Sequence, residues 1–218
     1  RRIIFLFLIA LLSSFALEAS HLVGGSLTYT YKGYNSNSNR HFYDIQIKIY
    51  RDCFNTGPGQ PFPTPFDSVI AVGIYFNNFN KSLYQSLNVR LQKESDVDPP
   101  SGGSNCSFKP NVCLKEGIYT TTISVPPSNV GYHITHVRCC RNNQENLVDF
   151  MGQTYYGFIP PTSTTNSSPY FDGVPAPYIC VGDTVSILYS AKDDDGDSLV
   201  YSFKRPFQGG DQFIPAPQ

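Results

Sequence analysis

The chain has 218 residues and a formal net charge of −1, with 16 Lys and Arg against 17 Asp and Glu spread along its length. That balance lacks the basic stripe that neutralises phosphates, so it argues against a nucleic-acid partner. With 15 Tyr and 16 Phe beside 17 Gly and 17 Pro, the composition suits pleated, half-buried surfaces broken by turns, and disfavours long helices.

In chain order, Arg1 and Arg2 precede the uncharged run from Ile3 to Leu17, IIFLFLIALLSSFAL, and a small-residue exit at Ala19. A positive start, an apolar stretch too short for a comfortable membrane span and a small residue at the cut site form a secretory signal peptide over residues 1–19. Cleavage fits after Ala16 or Ala19. The strongly hydrophobic stretch favours the general secretory route over a twin-arginine one. The expected location is therefore secreted or at the cell surface. A start at Arg rather than Met is expected of a piece of a longer chain.

The clearest strand runs from His41 to Arg51, where Tyr43, Ile45, Ile47 and Ile49 alternate with Asp44, Gln46 and Lys48; one face is core and the other wet. Further strands are expected over Leu22 to Tyr31, Ser68 to Phe76, Leu83 to Leu91, Ile118 to Val125, Tyr132 to Cys140, Tyr155 to Ile159, Thr184 to Tyr189 and Leu199 to Phe203. Turn-rich stretches separate them at Asn55 to Pro65, Asp96 to Asn105 and Pro160 to Pro169. Short strands without helical crossovers predict an all-β, antiparallel, immunoglobulin-like β-sandwich over residues 20–169. The Pro- and Gly-rich segment 170–177 reads as a linker. The fresh strand pattern ICVGDTVSILYSA then opens a second β domain over residues 178–218. That unit is expected to be incomplete at Gln218, because an immunoglobulin-like sandwich takes about 100 residues.

Six cysteines in an exported chain, Cys53, Cys106, Cys113, Cys139, Cys140 and Cys180, read first as disulfides. Cys106 and Cys113 are the candidates for a local bridge. Cys139 and Cys140 are adjacent, so on a strand they point to opposite faces and need different partners, which leaves Cys53 and Cys180 with the pairing open. A metal reading of these cysteines lacks a CxxC pair or a matched Cys/His spacing.

The sharpest local motif is Asp193-Asp194-Asp195-Gly196-Asp197-Ser198-Leu199. Asp193, Asp195 and Asp197 could supply several of the roughly six to eight oxygens that calcium takes, with Gly196 allowing the bend. Lys204 stands where an EF-hand would place its last Glu, so this is no EF-hand. A solvated acidic turn between strands is the equal alternative, and bound calcium would stiffen the loop rather than catalyse. His133 and His136 form HxxH, but three residues apart on a strand they face opposite sides and cannot easily share an ion. No HExxH, GxSxG, phosphate-cradling or dinucleotide motif occurs, so no catalytic residues are expected. Tyr29, Tyr31, Tyr43, Tyr155 and Tyr156 could make a sugar-stacking platform or, more ordinarily, core and cross-strand pairs.

Several strings taken together carry a resemblance: Ser20-His21-Leu22-Val23-Gly24-Gly25, Tyr50-Arg51-Asp52-Cys53, Asn111-Val112-Cys113, Arg138-Cys139-Cys140-Arg141-Asn142, Asn166-Ser167-Ser168-Pro169, Ile179-Cys180-Val181 and the Asp193 to Leu199 loop. The chain resembles the N-terminal region of large secreted surface proteins of gliding and related bacteria. These often carry PKD-like or other immunoglobulin-like repeats and end in a sorting domain read by type IX secretion. Ser26 departs from the pattern, which usually places Glu after the paired glycines. The resemblance implies that the second unit is PKD- or cadherin-like, and that the chain is a non-catalytic module of adhesion or surface-filament structure. Its expected partner is an extracellular surface, glycan or protein, met through loops such as Asn55 to Pro65 and Asp96 to Asn105. The alternative is a carbohydrate-binding accessory module of a secreted polysaccharide-degrading enzyme. Calcium is the sole cofactor expected.

Overall fold

The computed structural model describes residues 22–53, 65–98, 112–138, 152–174, 176, 178–182, 184, 186, 189–205 and 207. The signal-peptide segment 1–19, Cys106, Cys139, Cys140 and most of the stretches 55–65 and 96–105 lie outside them.

Seven strands make the body: β1 (Leu22–Asn35), β2 (Arg40–Asp52), β3 (Val69–Phe76), β4 (Leu83–Val97), β5 (Leu114–Val125), β6 (Tyr132–Arg138) and β7 (Gln153–Ile159). The order across the sheet is β1-β2-β5-β4-β3-β6-β7, and every neighbouring pair is antiparallel. Two short strands, β8 (Tyr170–Phe171) and β9 (Ala191–Lys192), pair with each other.

β2 follows the alternation of its sequence: Tyr43, Ile45, Ile47, Ile49 and Arg51 are buried, and Asp44, Gln46, Lys48 and Tyr50 face outward. Tyr119, Ile123 and Val125 of β5, Val72 and Ile74 of β3, Tyr132 and Ile134 of β6 and Tyr155 and Ile159 of β7 join them in one core. Each such side chain, taken out of water, contributes about 1.5–3 kcal/mol. The long strand β4 turns the sheet over. Its first half pairs with β3 and its second half with β5, and a register shift between Leu91 and Lys93 marks the change of direction, as a bulge does where a strand bends between layers.

The all-β, antiparallel expectation holds, and the seven strands form one continuous sheet, barrel-like in its curvature. Its end strands meet through side chains: the Tyr155 hydroxyl donates to the Gly24 carbonyl at 3.1 Å and the Tyr29 hydroxyl to the Phe158 carbonyl at 2.8 Å. The approach is close enough to demand glycine. A Cβ on Gly157 would stand 2.6 Å from a Leu27 methyl, and one on Gly25 would stand 2.1 Å from the Lys48 carbonyl oxygen and 2.5 Å from the Tyr155 ring.

Two expectations about the C-terminal part change. Phe171 and Tyr170, placed in a linker by composition, pair with Ala191 and Lys192, and Lys192 holds Asp172 at 2.6 Å. Leu199 to Phe203 forms no strand, because it has no ladder partner among the described residues and its apolar side chains stay exposed. Of the expected strand Thr184 to Tyr189 only positions 184, 186 and 189 are described, and none is extended in a ladder.

The cysteine pairing is corrected as well. Cys53 is bonded to Cys113, with Cα atoms 5.2 Å apart, so Cys113 does not pair with Cys106 and Cys53 pairs with neither Cys139 nor Cys140. The cause is the β2–β5 ladder, which ends on Asp52 opposite Leu114 and carries the two sulfurs past it side by side; the Cys53 amide also donates to the Cys113 carbonyl at 3.2 Å. Cys180 is disulfide-bonded too, to a partner outside the described residues. Because the Cys53–Cys113 bridge closes a sequence separation of 60, replacing both cysteines by serine is expected to cost about 4 kcal/mol on the chain-entropy account. The check is the urea midpoint under non-reducing conditions, alongside a Cys53–Cys113 linked peptide in the unreduced digest.

Candidate functional site

The outward residues of three neighbouring strands line up in cross-strand rows. Thr30, Asp44 and Thr122 form one row, Thr28, Gln46 and Thr120 the next, and Ser26, Lys48 and Ile118 the third. This is the wet face that the β2 alternation announces, and Thr30, Thr120 and Thr122 stay exposed on it. Tyr170, Phe171 and Tyr189 stand over it, and together with Val174 and Ala176 they turn the face into a groove of about 1180 Å³. These three rings are the exposed aromatics of the region, at 37%, 45% and 50%, and the Phe171 and Tyr189 rings lie 4.3 Å apart.

The charged residues of the groove are Asp44, Lys48, Glu116 and Asp194. Asp44 is 3.6 Å from Lys32 and accepts from the Thr122 hydroxyl at 2.6 Å. Glu116 lies 3.9 Å from Lys48 and accepts from the Tyr50 hydroxyl at 3.1 Å. Composition could not have located this site: the polar half of a strand pattern reads as solvent-facing until the segment that covers it is known. The run Thr120-Thr121-Thr122 was the available hint, since three threonines in a strand next to an alternating partner place hydroxyls on the outer face.

The sugar-stacking set drawn from the sequence does not assemble. Tyr29, Tyr43 and Tyr155 are core residues; Tyr31 packs against Tyr43, and the Tyr156 hydroxyl pairs across the strand with His133 Nδ1. The ordinary reading of strand tyrosines holds, because these rings are core residues or cross-strand partners.

Asp193, Asp195 and Asp197 do come together in one turn, but with other work. Asp193 accepts the amides of Asp195 at 3.0 Å and Asp197 at 3.2 Å, closing the turn on itself. Asp195 accepts the Ser167 amide and lies 3.5 Å from the Ser167 hydroxyl. Ser167 and Ser168 in turn cap the outer edge of β1: the Ser168 amide donates to the Tyr29 carbonyl at 2.8 Å, and the Tyr29 and Tyr31 amides donate to the Ser168 and Ser167 hydroxyls. Asn166 adds a bond to the Tyr29 hydroxyl at 3.3 Å. The NSSP string and the acidic loop are therefore two halves of one latch. Among the described residues no group of three or more His, Cys, Asp or Glu is placed to hold a metal ion. In this arrangement Asp193 and Asp195 accept backbone amides, and Asp197 contributes its own amide to the turn.

His133 and His136 lie on opposite faces of β6, as strand geometry requires. His133 sits outside, bonded to Asn77 Oδ1 through Nε2 at 2.9 Å and to the Tyr156 hydroxyl through Nδ1 at 2.8 Å. His136 sits inside, 4% exposed, stacked on Tyr155 with Nδ1 2.8 Å from the Ala71 carbonyl. A carbonyl can only accept, so Nδ1 carries the proton. The same end of the interior holds a bidentate pair, with Arg138 Nε at 2.8 Å from Asp67 Oδ2 and its second guanidinium nitrogen at 2.9 Å from Oδ1. Arg51 is buried beside it, donating to the Pro65 carbonyl and lying 5.1 Å from the centre of the Phe66 ring. Arg51 and Arg138, from the YRDC and RCCRN strings, thus form a polar pole, Arg51 buried and Arg138 and Asp67 half-buried.

Two outcomes follow from these contacts. Asp195→Ala is expected to accelerate hydrogen exchange at the Ser167 and Tyr31 amides while chelation with EDTA leaves it unchanged; the reverse pattern would assign the loop to a cation. Burial pushes the His136 imidazole below its usual range, with Arg138 acting the same way and the Ala71 carbonyl and Asp67 opposing. Between that lowered value and the ordinary 6.5 or so the unfolded chain binds more protons, so stability is full above about pH 6.5 and falls on acidification at up to ~1.4 kcal/mol per pH unit. His136→Asn, which keeps a donor for Ala71, should flatten the urea-midpoint profile between about pH 7.5 and 5 by one proton's worth. Compared with protein-family models, with curated proteins and with solved structures, the chain matches none.

Proposed function

We propose that the chain is a non-catalytic module of a secreted or cell-surface protein, contributing to adhesion or surface-filament structure, from the N-terminal region of the gliding-associated type that its motifs resemble. The observation that carries this reading is the Cys53–Cys113 bridge across the end of the β2–β5 ladder. A disulfide at that place persists in an oxidising compartment and stiffens a scaffold. The buried polar groups support the same reading: His133, His136, Arg51 and the Arg138–Asp67 pair all serve contacts inside the fold. In this role the immunoglobulin-like character expected of residues 20–169 amounts to a closed antiparallel scaffold that presents loops and one outer face. Residues 178–218, on this proposal, begin the next β unit of the parent protein.

The covered groove with its aromatic roof favours one second reading, a carbohydrate-binding accessory module of a secreted polysaccharide-degrading enzyme. A hydrolase domain elsewhere in the parent protein would select it, and repeats with a sorting domain would select the first. Protease treatment of intact producing cells tests the surface placement common to both. The chain is expected to be clipped while cytoplasmic proteins survive, and protection until the cells are lysed would overturn the proposal.

A further inference from the structure

We infer that the groove between the β1-β2-β5 outer face and the Tyr170, Phe171 and Tyr189 rings is a binding site for a neutral oligosaccharide. This rests on reading the chain as a contact module and names what it contacts. The first argument is the division of the walls. The floor offers hydroxyls and an amide, from Thr28, Thr30, Gln46, Thr120 and Thr122, and the roof offers the rings of Tyr170, Phe171 and Tyr189. A pyranose has the same division, with an apolar C–H face and a rim of hydroxyls. Rings stack on its face and side-chain oxygens and amides exchange hydrogen bonds with its rim.

The second argument is charge. The acids and bases of the floor neutralise one another, Asp44 with Lys32 and Glu116 with Lys48, and the roof pair Asp172 and Lys192 does the same. Asp194 accepts from the Tyr170 hydroxyl at 3.3 Å. Lys48, the basic side chain of the lining, is matched by Glu116, so this arrangement does not select a phosphate or a sulfate, which needs an uncompensated positive charge.

The third argument is the backbone. An extended peptide would bind by adding to a free strand edge, but β2 and β5 are paired on both sides and the outer edge of β1 is occupied by Ser167 and Ser168. What remains is a sheet face, whose donors and acceptors recur at the strand spacing of about 4.8 Å, close to the length of one sugar residue along a chain. At about 1180 Å³ the groove exceeds the ~300–1,000 Å³ of a pocket for one small molecule, which suits several linked sugars.

The test uses the secreted, disulfide-formed chain titrated calorimetrically with cellohexaose, laminarihexaose, xylohexaose and mannohexaose, and with hexagalacturonate and a heparin hexasaccharide as charged controls. At least one neutral hexasaccharide is expected to bind saturably and the charged ones not. Tyr189→Ala and Thr120→Val should each weaken that binding about tenfold. Because Tyr189 also packs on Phe171, Thr120→Val is the cleaner variant: it alters one hydroxyl on an outward strand position and leaves the melting temperature unchanged. Binding of none of the neutral sugars, binding of the charged ones alone, or binding indifferent to both variants would overturn the inference. If beads carrying the chain still adhered to cells in that case, the contact role would stand without the groove. Release of shorter sugars during the titration would keep the groove and remove the non-catalytic reading.

Discussion

An open antiparallel sheet has two edges, and a curled one must either zip them together or cover them. Here β1 and β7 come within reach of each other but share no ladder among the described residues, so the amides and carbonyls along the outer edge of β1 need partners. Ser167 and Ser168 supply them, using both hydroxyls and a backbone pair at Tyr29. Asp195 then holds Ser167, and with that the acidic loop, β8 and β9 are drawn against the body. The roof of the groove exists because an edge had to be capped. A requirement of backbone hydrogen bonding thus places Tyr170, Phe171 and Tyr189 opposite a polar face that would otherwise be bare.

The interior shows a similar economy at the opposite pole. A curled sheet leaves little volume at its end for water, yet Arg51 and His136 are buried there beside the half-buried Arg138–Asp67 pair. Each finds a partner of complementary kind: a carboxylate held by two nitrogens, a carbonyl, an aromatic face. The disulfide ties the same pole, where β2 and the start of β5 would fray first. Rigidity is concentrated at one end and along one seam, which leaves the outer face of β1, β2 and β5 as a steady platform.

The strand pattern of this body was legible in the chain. Tyr43 to Ile49 alternate in sequence and alternate in burial, and the other six strands begin within a few residues of where β-branched and aromatic runs begin, because side-chain period and turn chemistry are local properties. The motif strings carried meaning of a different kind. Cys53, Arg51 and Arg138 proved to be structural, and Asn166 to Ser168 and Asp193 to Asp197 proved to be two sides of one contact. Their spacing in the chain, nearly thirty residues, held no trace of that meeting. The cysteine pairing was misread for the same reason: nearness in sequence favoured Cys106 for Cys113, whereas the β2–β5 register chose Cys53.

By itself the sequence determined an all-β chain of antiparallel strands, which residues of β2 face the core, and where the turns fall, because these depend on φ/ψ preferences and on a two-residue alternation that neighbours impose on one another. Only the tertiary structure decided that the strands form one curling sheet rather than two, which sulfurs meet, what the aspartates hold and which polar face is roofed. Those outcomes depend on contacts between residues far apart in the chain, and a contact of that kind is set by the register of whole strands rather than by the character of any residue in them.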